Sequence, residues 1–437
     1  MYKNVLSLDP MFSPLHEQLA ERCNATKRYA LLSNLGLRRY LSSFEKRYIH
    51  RAILNTSLSG SQLDSVSIEN VDFHYKSYVD KVLKRSLTDV EVDYFKKFYY
   101  FLSGFLKDKN IDLVLFHNDR RWQHAIAMDI CKKLSIQYLV TEQGILRPYT
   151  TVIDSVGVNS NSSLQRLFVN YVERSEVFSN LKTALSKEDV LDSHDSYGSK
   201  VNFGKFLILN KLSNTLNYTA QFQHKSYSFK EYIKRYASHR QSGNPSASKE
   251  RDLSYLKNKK VIFFPMQLSN DTQILNNSTY SNMEDVLKVV EAAVECLNSR
   301  DAVLVVKKHP NDQNEYSFSN ETLVINNAST IQLIEYSRVV VLVNSSVAYE
   351  VIKTDKPLVS LGEASFNING IANQSRGEDL WSILEDALEN PNDYVDMDIR
   401  SLFIDFITNI YSVYGAGYCY SQDELDRALK LNGLIST

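Results

Sequence analysis

Cysteine is scarce, and its spacing pairs with nothing: Cys23, Cys131, Cys296 and Cys419 are scattered along the chain. With no CxxC pair and no Cys/His metal spacing, a disulfide framework and a zinc module are both disfavoured, and a reduced, cytoplasmic protein fits best. An excess of one charge is missing too. Lys and Arg number 50 against 51 Asp and Glu, a formal net charge of -1, so nothing draws the chain to nucleic acid in bulk. No run approaches the roughly 18 apolar residues a membrane span needs. The opening MYKNVLSLDP also lacks the apolar stretch of a signal peptide. These absences leave a soluble protein, at most attached to a membrane surface.

What is present is a globular composition, 43% hydrophobic and 23% charged over 437 residues. That length exceeds one ordinary core and suits two domains. The 27 Tyr read mostly as half-buried packing, with a minority free to stack on sugar or base rings.

The patterning predicts strands at Asn4–Leu8 and Arg28–Leu32, with helical periodicity over Ser13–Cys23 between them. Residues 35–80 carry no clear period. Residues 88–108 have the spacing of an amphipathic helix. Ile111–Phe116 is a continuous apolar run, as expected for a parallel strand buried on both faces. It leads into HNDRRWQ, a helix over Ala125–Leu134, a strand over Ile136–Val140 and the loop TEQGILRP. This strand–loop–helix rhythm belongs to doubly wound sheets, which bind ligands at the carboxyl ends of their strands. Residues 160–250 are polar and partly helical, and the segment from His224 to Lys260 is basic. Ser242-Gly243-Asn244-Pro245-Ser246 marks a linker within it. The basic face reads as solvated surface or, functionally, as a contact for anionic lipid or glycan.

The rhythm then repeats. Strands are expected at Val261–Phe264, Ala302–Val306, Leu323–Ile325, Val339–Val343 and Leu358–Leu361, and helices at Met283–Leu297, Thr330–Tyr336, Leu380–Leu388 and Arg400–Tyr411. Four of these strands end in polar loops. The expected fold class is therefore α/β, two Rossmann-type domains facing across a cleft, with boundaries at 1–245 and 246–437.

Each polar loop has a plain explanation and a chemical one. Asn344-Ser345-Ser346 follows a buried strand and opens a helix. It reads as an ordinary serine cap, or as a phosphate site built from free backbone amides and hydroxyls without a glycine-rich loop. Lys307-Lys308-His309-Pro310 reads as a surface turn, or as cations held in advance to stabilise a phosphate leaving group. Gln267-Leu268-Ser269-Asn270-Asp271-Thr272-Gln273 sets a carboxylate among amides. It reads as a helix cap, or as a nucleophile or stabiliser of an oxocarbenium-like centre. In the first half, Glu142, Gly144 and Arg147 offer a second carboxylate, a tight turn and a forked cation. Asn118 and Arg120 lie on the neighbouring loop, and Asp154 to Asn159 forms another polar loop. Two carboxylates, Glu142 and Asp271, suit a glycosyl transfer that uses an acid/base and a nucleophile.

PMQLSNDTQ, VVKKHPND, VNSSVAYE and KPLVSLGEASFNINGI, in that order, resemble the capsule polysaccharide synthesis and export family, as does TEQGILRPYTTVIDSVGVN upstream. The resemblance covers roughly residues 110–375. It implies a GT-B-like fold, with an acceptor-side domain carrying a helical insertion and a nucleotide-sugar domain with C-terminal helices. It also implies a retaining β-Kdo transferase that uses CMP-Kdo at the cytoplasmic face of the inner membrane and passes Kdo to a glycan or glycolipid. On that resemblance Asp271 is the nucleophile and Glu142 a catalytic carboxylate. His309, Ser345 and Ser346 contact the CMP phosphate. Arg147, Lys307 or Lys308 pairs with the sugar carboxylate, and no metal or other cofactor is needed. Other CMP-nonulosonic acids, and a non-catalytic export component, are the competing readings. Asp396 and Asp398 form the one Asp-x-Asp and read as a solvated turn. HNDRRWQ departs from the family's more glycine-containing loop.

Overall fold

The structure is a computed structural model that describes residues 2–10, 13–147, 149–186, 189–190, 200–223, 252–269, 271–299, 301–312, 314–415 and 420–436. The linker and the basic positions from Lys225 to Arg251 lie outside the described residues. The chain divides into two compact units, Met1–Ser238 with Phe406–Thr437, and His239–Asp405.

In the first unit, β1 (Asn4–Leu8), β2 (Lys27–Leu32), β3 (Glu45–Tyr48), β4 (Leu113–His117), β5 (Gln137–Gln143) and β6 (Thr150–Asp154) join β13 (Val413–Tyr414) in one sheet. The order is β13-β6-β5-β4-β1-β2-β3. From β3 to β5 the strands are parallel, and β6 pairs antiparallel with β5. The chain leaves β1 in one direction and returns to β4 on its other side, so the topological switch lies between β1 and β4. Side chains there are packed for burial: Val5, Leu6, Leu8 and the run Leu113–Phe116 have no exposed surface. A helix over Asp89–Asp108 covers one face through Phe95, Phe98, Leu102 and Leu106, and is closed at its start by a Thr88–Glu91 capping box.

In the second unit, β7 (Lys260–Pro265), β8 (Ala302–Lys307), β9 (Leu323–Val324), β10 (Val339–Leu342), β11 (Leu358–Ser360) and β12 (Asn373–Gln374) are all parallel. Their order is β12-β11-β10-β7-β8-β9, the doubly wound order with its switch between β7 and β10. Both units are therefore Rossmann-type α/β units, as the strand rhythm predicts.

The C-terminal segment differs from the expected division. Residues 406–437 belong with the first unit, not the second. Val413 pairs with Thr151 on the sheet edge. The helix Gln422–Leu431 buries Leu425, Ala428 and Leu429 in the core that also holds Leu15, Leu19 and Ala20. The expected helix over Arg400–Tyr411 is present as an α-helix Met397–Phe406 followed by a π-turn Ile407–Tyr411. Asp396 caps its start, accepting from the amides of Asp398 and Ile399 at 3.0 Å each, so the Asp-x-Asp is a helix start. Among the described residues no helix is long and apolar enough to cross a membrane.

Arg400 ties together four backbone carbonyls of the second unit. It has no exposed surface and donates to the carbonyls of Thr354 (2.7 Å), Lys356 (2.9 Å), Ile371 (2.7 Å) and Gly370 (3.3 Å). Burial lowers its pKa to about 10. Arg400→Met fills the space but strands these carbonyls, and is expected to cost about 3 kcal/mol in urea unfolding followed by circular dichroism. A loss under about 0.5 kcal/mol would show the carbonyls to be satisfied without it.

Candidate functional site

The second unit's switch point is built from amides. Gln267, just past β7, donates from Nε2 to Asn344 Oδ1 at 3.1 Å, and its Oε1 accepts from the Asn344 amide at 3.1 Å. Asn344 Nδ2 donates to the Gln273 carbonyl at 3.1 Å, and Gln273 Oε1 accepts from Asn277 Nδ2 at 2.7 Å. Gly362 passes so close that an added Cβ would lie 2.8 Å from the Asn277 carbonyl oxygen and 3.1 Å from Asn344 Nδ2. The Gln267 and Asn344 side chains and the Gln273 carbonyl thus tie the ends of β7 and β10 to the helix Thr272–Asn277, while the Gln273 side chain bonds within that helix.

Asp271 caps that helix, accepting from the Gln273 amide at 3.0 Å. One carboxylate oxygen is thereby fixed in direction. His309 leaves the end of β8 half-buried, and its Nδ1 accepts from the Asn311 amide at 3.1 Å. A backbone amide can only donate, so the neutral ring carries its proton on Nε2. Burial lowers the His309 pKa, while the negative charges of Asp271 and Asp312 oppose that shift. The ring is therefore a neutral Nε2–H donor at neutral pH, within the field of Asp271.

The two lysines differ. Lys307 Nζ donates to the Ala328 carbonyl at 2.5 Å, and burial lowers its pKa. Lys308 Nζ donates to the Asn314 carbonyl at 2.7 Å and lies 5.2 Å from the Tyr316 ring centre, a contact that shapes its own loop. Pro310 is exposed in the turn that follows. Ser345 Oγ accepts from the Val347 amide at 3.3 Å, and Ser346 is exposed. The serines open a helix of four residues, Ala348–Val351.

In the first unit, Glu142 lies within β5, not in the loop after it, with its side chain 19% exposed. It accepts from Asn118 Nδ2 at 2.7 Å and from the Gln143 amide at 2.9 Å. Asn118 adopts a φ of 69°, a left-handed conformation that asparagine tolerates. Burial pushes the Glu142 pKa up, but His117, Asn118, the Gln143 amide and Arg121 together outweigh it, so the net shift is down. Glu142 is thus an ionised carboxylate, placed to accept a proton rather than give one.

Gly144 approaches β6 closely: an added Cβ would lie 2.1 Å from Thr150 Oγ1. Arg147 is exposed, and its Nε donates to the Gly144 carbonyl at 3.3 Å. Arg120 Nη2 donates to Asn161 Oδ1 at 3.2 Å. Asp154 ends β6 fully buried and accepts from the amides of Val156, Gly157 and Ser163, the Ser163 hydroxyl and the Tyr411 hydroxyl. The Asp154…Gly157…Asn159 stretch is therefore a structural knot.

Sequence reasoning missed the buried polar set behind Glu142. His117 Nε2 lies 3.8 Å from Glu142 Oε1. His16, His124, Asp9 and Gln123 have no exposed surface. Asp9 accepts from the Ser33 amide at 2.6 Å and from Gln123 Nε2 at 2.9 Å. The charge of Arg121 acts on Asp9, His117, His124 and Glu142. The one available signal was a histidine closing the apolar run of β4.

Residues 112–392, more than half of the chain, match the family described as "Capsule polysaccharide biosynthesis protein". The chain belongs to that family. Its match begins just before β4 and takes in Asn118, Glu142, Asp271, His309 and Ser345, whereas β1 to β3 and the C-terminal return fall outside it. Relatives include the capsule polysaccharide export protein KpsS of Escherichia coli, 23% identical over 65% of this chain and 76% of its own. The capsule polysaccharide modification protein LipB of Neisseria meningitidis is 20% identical over 66% and 73%. Among solved structures, the β-Kdo 2,7 transferase KpsC of Thermosulfurimonas dismutans overlays at a TM-score of 0.37 and 13% identity, over 77% of this chain and 87% of that one. Among the described residues no group of three or more His, Cys, Asp or Glu is placed to hold a metal ion.

Proposed function

We propose that this family member is a retaining glycosyltransferase that moves Kdo (3-deoxy-D-manno-octulosonic acid) from CMP-Kdo to a glycan or glycolipid of a bacterial surface polysaccharide. The observation that carries the reading is the Asp271–His309 pair at the carboxyl edge of the second sheet. It sets a direction-fixed carboxylate in electrostatic contact with a neutral Nε2–H donor. The donor's anomeric carbon bears a carboxylate and loses CMP to give an oxocarbenium-like centre. The C–O bond to the phosphate breaks, and its electron pair leaves with CMP. His309 Nε2–H and Lys307 stabilise the phosphate charge, helped by the Ser345 and Ser346 hydroxyls. An Asp271 oxygen bonds to the anomeric carbon, and the acceptor hydroxyl then displaces it; on the family resemblance, Glu142 is the carboxylate that takes the acceptor's proton. Two inversions give net retention. These groups cover the phosphate without a metal.

The test is to incubate the protein with a panel of CMP-sugars and read peptides by mass spectrometry. A mass increase of one Kdo residue on the peptide holding Asp271 is expected with CMP-Kdo, with turnover unchanged by EDTA. An adduct from a different CMP-nonulosonic acid would replace the donor and keep the mechanism. Turnover of no CMP-sugar would overturn the reading in favour of an export role.

A further inference from the structure

Behind Glu142 the buried hydroxyls and imidazoles of the first unit alternate in a line. Ser7 Oγ lies 2.7 Å from His16 Nδ1, and His16 Nε2 lies 3.4 Å from Thr141 Oγ1. Thr141 Oγ1 lies 3.4 Å from His117 Nδ1, and His117 Nε2 faces Glu142 Oε1 at 3.8 Å. We propose that Ser7, His16, Thr141 and His117 form one directed hydrogen-bond chain that ends with His117 Nε2–H facing Glu142 across 3.8 Å, a charge–dipole contact beyond hydrogen-bond reach that orients Glu142 as the base for the acceptor hydroxyl. The inference rests on the reading of Glu142 just given.

The direction follows from the end of the chain. The negative charge of Glu142 favours the N–H end of the ring facing it, so we assign the His117 proton to Nε2, and its Nδ1 is then an acceptor. Thr141 must donate its hydroxyl proton to that nitrogen, which leaves its oxygen to accept from His16 Nε2–H. His16 Nδ1 in turn accepts the Ser7 hydroxyl proton. Each link uses one proton, and no two donors or two acceptors meet. The reverse polarity would set a nitrogen lone pair against the carboxylate.

The frame of the chain is rigid. Ser7, His16 and Thr141 have no exposed surface. Their strands β1, β4 and β5 are neighbours, and His117 and Thr141 are direct register partners. Both rings stay neutral, because burial pushes His16 down to about 3 and His117 to about 4. The groups facing His117 and Glu142 are each other, Arg121, His16 and His124, with Asp9 beyond Arg121. His124 is an internal contrast: its Nδ1 lies 2.9 Å from the Asn118 carbonyl, which can only accept, so it carries the opposite tautomer.

In the step served, the acceptor O–H bond breaks and the proton passes to a Glu142 oxygen. The acceptor oxygen's electron pair forms the glycosidic bond as the leaving group departs with its own pair. His117 is a positioning residue here, acting through Glu142.

NMR of the full chain labelled with carbon-13 and nitrogen-15 in histidine reads the tautomers directly. Near neutral pH, Nε2–H rings are expected for His16 and His117 and an Nδ1–H ring for His124. Thr141→Val is expected to release the His117 tautomer, move the acid limb of kcat/KM to higher pH and lower kcat roughly tenfold, with the donor KM unchanged. Thr141→Ser is expected to restore all three. An Nδ1–H ring at His117 in the unmodified protein overturns the proposal. So does a Thr141→Val protein with tautomers and acid limb unmoved. If Thr141→Val does not fold, the tautomers of the unmodified chain decide alone. Because the NMR readout needs no turnover, an inactive protein with the expected tautomers counts against the transferase reading and not against the chain.

Discussion

Asp271→Ser is expected to lose transfer by roughly 10,000-fold in kcat while unfolding within a few tenths of a kcal/mol of the unmodified protein. The substitution separates two roles that one side chain fills. Asp271 caps the helix Thr272–Asn277 through the Gln273 amide at 3.0 Å, and serine caps a helix about as well as aspartate. It cannot, however, form the glycosyl ester that splits one displacement into two. Asp271→Ala removes both roles and is expected to cost about 1 kcal/mol in addition to the same kinetic loss. A serine variant within about tenfold of full activity, beside an inactive alanine variant, would make Asp271 a cap and nothing more. Steady-state rates with CMP-Kdo and urea midpoints on the three proteins supply both axes.

The plain and chemical explanations of the polar loops were not alternatives in the way the sequence made them look. Asp271 is a cap, and that is what fixes its carboxylate. Ser345 is not the cap of the helix that follows; its hydroxyl accepts from the Val347 amide in the turn before it. What the residue order could not show was which polar groups are already spent. Gln267 and Gln273 read as amides set around a carboxylate and Asn344 as part of a serine cap or phosphate site; Gln267 and Asn344 bond each other, and Asn344 also holds the Gln273 carbonyl. Asp154 read as a loop carboxylate and is saturated by five donors. The Gln267–Asn344 and Asp154–Tyr411 pairings join positions 77 and 257 apart in sequence, so no local pattern carries them.

The parallel strands were legible for a physical reason. β4, β7 and β10 are buried on both faces along their central residues, so they are written as apolar runs. β6 was missed because it runs antiparallel, with Thr150 and Thr151 buried beside Val152 and Ile153. β12 and β13 have two residues each, too short for any period. The return of residues 406–437 to the first unit was illegible for another reason. Periodicity marks the helix Gln422–Leu431 as amphipathic but does not name the sheet it covers. That choice is made by contacts such as Arg22 with Asp426 and Asn432 with the Ser155 amide. The buried histidines fall between these cases. A lone histidine in an apolar segment is usually a satisfied core residue, and His16 and His117 are indeed satisfied, but by each other's neighbours in a line that ends on Glu142.

That burial has a measurable consequence on acidification. Burial, the first cause in each case, holds His16 at about 3, His117 at about 4 and His124 well below the ordinary histidine value. The unfolded chain takes up protons on all three near pH 6.5, while the native state does not. The unfolded state therefore binds more protons below that pH, and stability falls as pH drops from about 6.5 toward 4, by roughly 1.4 kcal/mol per unit for each ring. Asp9 and Asp119 act in the opposite sense, because burial raises both and the native state keeps their protons longer. Three rings against two carboxyls leave a net loss of stability as the pH falls. Below the glutamate range the depressed Glu91 (about 2) and Glu142 add to it. The chain supplies its own reporter. Of its two tryptophans, Trp122 is buried in the first unit against Phe95 and Phe98, and Trp381 is 43% exposed in the second. In a Trp381→Phe background, urea unfolding followed by Trp122 fluorescence is expected to lose about 1 kcal/mol or more between pH 6.5 and 5. His16→Gln and His124→Gln, which cannot charge, are expected to flatten that dependence even where they lower stability at pH 7. A pH dependence left unchanged by His16→Gln and His124→Gln would mean that these rings are protonated in the native state, and the directed chain ending on Glu142 would fall with that result.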